Sequence, residues 1–358
     1  MDNQGLLFIP DISGYTQFIN NTEIEHSRYI IQELLEVLVN SNNIDLKISE
    51  IEGDAILFYS FGKIPSLEMI YRQVETMFCN FHKYLNRYDD RRICPCKACV
   101  GAKDLTLKVI THHGEFSTYT VKEFSKLIGK DVIKAHQLLK NDIPLHEYWL
   151  ITDNIFQQHE GRERLPAWLE WKQGKKVDDA NEIGFYYSML TPLKENLPPD
   201  ENEFGIKGST VKLISAQKEF NKDIDTMFVT VADLALRPKW IEGVKAVENV
   251  TTKIPQVGTV HSCIVGKNAN VLITSGFKKD EKSITIEETD RKRMGTGQFI
   301  LETKGENKTL MTFNFLLRKN PLILGVFFNL FMRKKLEKSF KRSLDNLENY
   351  FNSEMRAA

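Results

Sequence analysis

The run Phe8-Ile9-Pro10-Asp11-Ile12-Ser13-Gly14-Tyr15-Thr16-Gln17-Phe18 constrains this chain more than any other stretch. The residues from Gly5 to Ile9 are mainly apolar and read as a buried strand. Asp11 then stands at the strand tip, and Ser13-Gly14 with the hydroxyl of Thr16 opens a helix. A carboxylate at a strand end, beside backbone N–H groups entering a helix, suits a divalent cation and its attached phosphates. In Ile51-Glu52-Gly53-Asp54-Ala55-Ile56-Leu57-Phe58 a Gly53-Asp54 turn joins two strands and presents a second carboxylate. Two aspartates on neighbouring strand tips are able to clamp one or two Mg²⁺ ions. Each also has a plainer reading, since Asp before Gly often caps a helix and Gly-Asp is an ordinary turn.

The pair of motifs resembles the class III nucleotidyl cyclases, the adenylyl and guanylyl cyclase catalytic domain, over roughly residues 5–192. The resemblance implies that Asp11 and Asp54 are the metal-binding aspartates. Ile12, Gly14 and Thr16 would lie around the metal and phosphates, and His113-Gly114-Glu115 resembles a further strand end of the family. Glu50 aligns with the guanine-reading Glu of guanylyl cyclases, although an exposed strand carboxylate is the plainer reading, and Lys126 stands near the second selector. The family meets the transferring phosphoryl charge with an Asn and an Arg in a Gly-x-x-Val-Asn-x-x-x-Arg pattern. The matching segment here, Gly129 to Gln137, has Ile133 and Gln137 at those two positions. Loss of an Arg clamp typically costs ~10³-fold or more, so efficient cyclisation is not expected unless Lys130, Lys134 or His136 substitutes. The expectation is a degenerate domain that holds Mg²⁺ and a purine nucleotide. A divergent, active purine nucleotidyl cyclase regulated by the rest of the chain is the alternative. The resemblance also implies a homodimer through this domain.

The 358 residues suffice for two cores, and the formal net charge of zero argues against a dedicated nucleic-acid binder. Met1-Asp2-Asn3-Gln4 lacks the basic start and apolar core of a secretory leader, and Pro321 to Met332 is too short to span a membrane. Five cysteines make no disulfide framework in a chain this long, so a cytoplasmic setting is expected. Three of them, Cys94, Cys96 and Cys99, share a charged loop from Asp89 onward. Thiolates this close are able to share one Zn²⁺, with His82, Cys79 or a distant His as fourth ligand; reduced loop thiols are the alternative.

Along the chain, Ile24 to Leu38 and Ser66 to Tyr88 have helical periodicity, the second with Met69, Val74, Met77, Phe78, Phe81 and Leu85 on its inner face. Leu105 to His112, Tyr148 to Thr152 and Phe185 to Leu190 read as strands, and Val121 to Leu139 contains a helix. The order strand-helix-strand-strand-helix-strand predicts an α+β, ferredoxin-like sheet with helices on one face. Residues 193–208, polar and following Pro192, read as a linker between a first domain over 1–192 and a second over 209–355. In the second, a strand and a short helix precede six β-branched runs between Val244 and Leu317, a predicted antiparallel meander. Asn320-Pro321 then starts a long helix with a basic middle, Arg333 to Arg342, running to about Tyr350.

This order resembles the START-like helix-grip domains, also called polyketide cyclase/dehydrase-like or SRPBCC. Arg237-Pro238-Lys239-Trp240-Ile241-Glu242-Gly243-Val244 and Pro255-Gln256-Val257-Gly258 resemble two of its loops. The resemblance implies a pocket between sheet and helix for a hydrophobic small molecule or lipid. Trp240, Phe277, Phe299, Phe313, Phe327 and Phe331 are its candidate lining, and plain core is the alternative for each.

Overall fold

The computed structural model describes residues 3–157, 162–178, 181–201, 203–319 and 327–357. The chain forms two units, one of residues 1–90 and 95–200, the other of 91–94 and 201–358.

The first unit begins β1 (Gln4–Ser13), α1 (Tyr15–Asn21), α2 (Ile24–Asn40), β2 (Lys47–Glu52), β3 (Ala55–Phe61), α3 (Leu67–Arg91). It continues α4 (Lys97–Gly101), β4 (Thr106–Glu115), β5 (Ser117–Val121), β6 (Phe124–Ile128), α5 (Lys130–Leu139). It ends β7 (Tyr148–Thr152), α6 (Asp153–Phe156), β8 (Lys172–Asp178), β9 (Asn181–Met189), α7 (Pro192–Glu195). The sheet order is β2-β3-β1-β4-β7-β9-β8. Its first four strands have the ferredoxin-like connectivity, with β1 antiparallel to both β3 and β4. β4 and β7 pair parallel, while β9 runs antiparallel to its neighbours. The apolar face of β1 is sealed because Leu6, Leu7, Phe8, Ile9 and Ile12 are all buried.

Two local expectations need correction, and two elements are added. Met69 points outward, because it falls off the stripe that buries Ile70, Val74, Met77, Phe78, Phe81 and Leu85. The charged loop is shorter than its polarity suggests, since α3 runs to Arg91 and Lys97–Gly101 is helical. The helix expected within 121–139 is α5, and a separate hairpin, β5–β6, precedes it. α7 occupies the start of the stretch read as a linker.

The second unit contains β10 (Thr210–Phe220), α8 (Ile224–Ala232), α9 (Arg237–Trp240), β11 (Val244–Glu248), β12 (Val260–Val265), β13 (Asn268–Lys279). It is completed by β14 (Ser283–Asp290), β15 (Gly295–Gly305), β16 (Lys308–Arg318) and α10 (Phe327–Ala357). Its seven strands form one antiparallel sheet, β10-β16-β15-β14-β13-β12-β11. Asp223 caps α8 by accepting from the Thr226 N–H at 2.8 Å. Leu344, Leu347 and Phe351 of α10, at helical spacing, pack into the core with Ile284, Phe299, Met311 and Phe313. A sheet holding one long C-terminal helix is the helix-grip plan. Asn320 and Pro321 lie outside the described residues, as do the side chains of Phe327 and Phe331.

Candidate functional site

The Gly53-Asp54 turn works because Gly53 takes a left-handed φ of 59°, which costs glycine less than any other residue. The Ile12 N–H donates to the Asp54 carbonyl at 3.0 Å, tying this turn to β1. Asp11 pairs with Ala55 on one side and with Lys108 of β4 on the other. Asp11 and Asp54 therefore open into one cleft of about 520 Å³, with Glu50, Ile12, Gly14 and Thr16 also on its wall. The six residues named from sequence all line this cleft, and so does a basic group that sequence reasoning did not place there: Lys108, Lys140 and His146, beside His136.

Asp11 is buried, and burial pushes its carboxyl up to about 6 against the pull of the nearby Lys108 ammonium, with Asp54 adding to the rise. Asp54 is raised too, again by burial first. The Lys108 Nζ stands 3.4 Å from the Asp11 Oδ1 and donates to the Leu139 carbonyl at 3.2 Å. Both carboxyls are thus raised mainly by burial, and ionising the two of them leaves one more negative charge than the Lys108 ammonium offsets. That donor set, hard oxygens facing a solvent-filled cleft, fits a Mg²⁺ ion, which takes one or two carboxylates and keeps waters.

Glu50 is not free on its strand. Its Oε2 accepts from the Lys126 Nζ at 2.6 Å, and its Oε1 lies 3.5 Å from the His136 Nε2. Of the three substitutes considered for the missing clamp, Lys134 is engaged by Asp131 at 2.8 Å, while His136 lines the cleft. Ile133 is exposed, and neither it nor Gln137 is among the residues lining the cleft. His113, at the other resemblance point, lies on β4 one residue past His112, which bonds Asp131 and Thr152.

The thiol cluster gains a histidine. One ligand atom from each of His26, Cys94, Cys96 and Cys99 lies within 4.8 Å of the others. The His26 Nδ1 is 3.2 Å from the Cys96 Sγ and 3.4 Å from the Cys99 Sγ. In a tetrahedral zinc site such atoms are separated by roughly 3.5 Å, given Zn–N near 2.0 Å and Zn–S near 2.3 Å. The Cys99 N–H points at the Cys96 Sγ and the Tyr88 hydroxyl donates to the Cys99 Sγ at 3.1 Å, contacts that favour thiolate. The group is able to hold a metal. The nearer candidates for fourth ligand are corrected: His82 is buried against Phe78, bonds Thr106 and is pushed down to about 4 by burial. Cys79 lies apart from the cluster on the same helix, with its thiol pushed up by burial. No spacing rule links His26 to cysteines some seventy residues away, so only the fold reveals it.

In the second unit, Trp240, Phe299 and Phe313 are core residues and Phe277 packs against them. Among the described residues no helix is long and apolar enough to cross a membrane.

The fold and these sites define a two-unit α+β protein, a ferredoxin-like unit with a cleft that holds Asp11 and Asp54, followed by a helix-grip unit. The chain belongs to the family of the uncharacterized protein Rv2561/Rv2562 of Mycobacterium tuberculosis, with 32% identity over 180 residues, 50% of this chain and 83% of that one. Residues 31–148 match a family described as a protein of unknown function, DUF2652. Residues 213–352 match the family described as polyketide cyclase / dehydrase and lipid transport. Similar solved structures include the catalytic core of a rhodopsin-guanylyl cyclase with converted specificity, in complex with ATPαS (12% identity, 52% of this chain, 95% of that chain, TM-score 0.38). Another is the guanylate cyclase domain of RhGC from Catenaria anguillulae in complex with GTP (11%, 52%, 96%, TM-score 0.37). A third is the adenylyl cyclase CyaB from P. aeruginosa (13%, 52%, 93%, TM-score 0.34).

Proposed function

We propose that the chain is a ligand-binding sensor protein. Its first unit holds a purine nucleotide with Mg²⁺ and does not cyclise it efficiently; its second unit holds an apolar small molecule or lipid. One observation carries the reading of the first unit: Asp11 and Asp54 share a cleft with Lys108, His136, Lys140 and His146, whereas Ile133 and Gln137, at the sequence positions expected to supply a phosphoryl clamp, are not among the residues lining it. Mg²⁺, when bound by the two aspartates, supplies charge neutralisation for phosphate oxygens. Lys108 fixes the Asp11 carboxylate, and Glu50, held by Lys126 and His136, offers its acceptors to a base edge. Calorimetric titration with a non-hydrolysable GTP analogue and then an ATP analogue, each with Mg²⁺, tests this. Saturable binding that Asp54→Ala abolishes is the expected result, and no heat from either nucleotide would sink it.

The presence of His136 and Lys140 on the cleft wall favours a second reading, a divergent purine nucleotidyl cyclase regulated by the second unit. It requires Mg²⁺-dependent pyrophosphate release that is lost in Asp11→Ala. A homodimer through the first unit and a cytoplasmic setting belong to both readings; none of the five cysteines is disulfide-bonded. The metal at His26, Cys94, Cys96 and Cys99 is Zn²⁺ in this proposal, a closed four-ligand site with a structural role. Elemental analysis should find one zinc per chain, and Cys99→Ser should lose it.

A further inference from the structure

The inner face of the second unit carries polar groups that a core for purely apolar contents would not need. Arg237 of α9 and Glu288 of β14 form a bidentate ion pair, Nη1 to Oε2 at 3.0 Å and Nη2 to Oε1 at 2.9 Å. Arg237 is 1% exposed and Glu288 5%. The guanidinium lies 4.8 Å from the centre of the Phe299 ring and 5.5 Å from that of Trp240. His261 of β12 is wholly buried, its Nε2 3.8 Å from the Glu288 Oε1, too far for a hydrogen bond.

Three side chains in this cluster keep atoms with no partner among the described residues: the Arg237 Nε, the Trp240 Nε1 and both ring nitrogens of His261. Each buried orphan costs about 1–3 kcal/mol unless something accepts its hydrogen bond. Arg237 Nε–H and Trp240 Nε1–H are donors only, and a neutral imidazole donates once and accepts once. Across the ladder from Glu288 stands Gly297, and the edge of the Phe313 ring lies over it, 3.5 Å from where a Cβ would be. Beyond it the wall turns aromatic, with Phe299 stacked on Phe313 at 4.4 Å and Phe313 on Phe340 at 3.8 Å.

We propose that the cluster of Arg237, Trp240, His261 and Glu288 is the polar end of a ligand site. It recognises a neutral oxygen group, hydroxyl or carbonyl, on a ring-containing, otherwise apolar molecule. A hydroxyl or carbonyl oxygen accepts two donors, and a hydroxyl also donates to the free acceptor of His261. A carboxylate is disfavoured, because Glu288 already balances the charge of Arg237 and an added anion meets like charge in a dry environment. The proposal rests on the apolar-ligand reading of this unit and adds the head group.

Equilibrium dialysis of the full chain at pH 7 against 2-naphthol, naphthalene and 2-naphthoate separates the possibilities. We expect 2-naphthol to bind about tenfold tighter than naphthalene, the worth of one to two good hydrogen bonds, with 2-naphthoate weakest. Trp240→Phe and, separately, His261→Leu should remove the preference, so that 2-naphthol binds no tighter than naphthalene to the same variant; thermal melting checks that each variant folds. Equal binding of 2-naphthol and naphthalene overturns the polar end while keeping the apolar site. Tightest binding of 2-naphthoate overturns the choice of a neutral group. No binding of any probe overturns the apolar-ligand reading and this proposal with it.

Discussion

On the proposed reading of the cleft, the Asp11 carboxyl couples fold to ligand. Its raised value of about 6 means that the folded chain holds a proton there that an unfolded chain releases near the ordinary carboxylate value of 3.8. In the metal-free protein this contribution to stability is therefore complete below that ordinary value and is lost as pH rises through about 6. A bound Mg²⁺ reverses the preference, because it needs the ionised form. Mg²⁺ affinity should be flat above pH 7 and fall about tenfold by pH 5, where roughly a tenth of the groups are ionised. Titration of Mg²⁺ at several pH values checks this, and a profile flat down to pH 5 would remove Asp11 from the ligands. The Arg237–Glu288 pair makes a different test. Glu288→Gln leaves a buried guanidinium without its counter-charge and should cost about 3–5 kcal/mol, whereas replacing both by apolar residues should cost much less. Urea denaturation of the single and double variants distinguishes a paired charge from a merely space-filling one.

At the level of elements, the hairpin of β2 and β3 is where local sequence spoke most clearly. Glycine takes the left-handed φ of Gly53 at the least cost, so the motif announces both the turn and the carboxylate it carries. Gly53→Ala forces an L side chain to a φ of 59° and should cost about 1–2 kcal/mol. It should also weaken Mg²⁺ binding by displacing Asp54, while the same change at Gly205, where an added Cβ meets nothing within 4 Å, should do neither. Calorimetric Mg²⁺ titration and urea denaturation of both variants read the difference. Asp11, Asp54 and the meander of the second unit were legible because periodicity and turn chemistry are local signals. Lys108 was not, since it reaches Asp11 only through the register of β4 against β1, which no single stretch encodes. His26 was hidden for the same reason. The β5–β6 hairpin was missed because Lys122 takes the left-handed turn conformation at φ 54°, a position where Gly or Asn would have signalled it.

At the scale of the whole chain, sequence order and structural unit part company at one place. The second unit includes residues 91–94 as well as its C-terminal run. Ile93 is buried in that unit's core with Phe220, Trp240 and Leu344. The Val257 N–H donates to the Arg91 carbonyl at 2.8 Å, Arg92 bridges to Gln256, and the Arg91 guanidinium lies 4.8 Å from the centre of the Phe204 ring. A reading that divides the chain at a polar linker cannot see this, because nothing in Arg91-Arg92-Ile93-Cys94 marks it as core. The consequence is measurable. Truncating Ile93 to Ala in the full chain should destabilise the second unit by about 2–4 kcal/mol, the usual range for a buried aliphatic reduced to a methyl. A fragment of residues 201–358 lacks the whole segment and should be less stable than the same unit in the full chain, by at least that amount. Hydrogen exchange of β14 and β15 amides reports on this unit alone. If Ile93→Ala leaves their protection unchanged, Ile93 is not part of that core and the second unit begins after the linker.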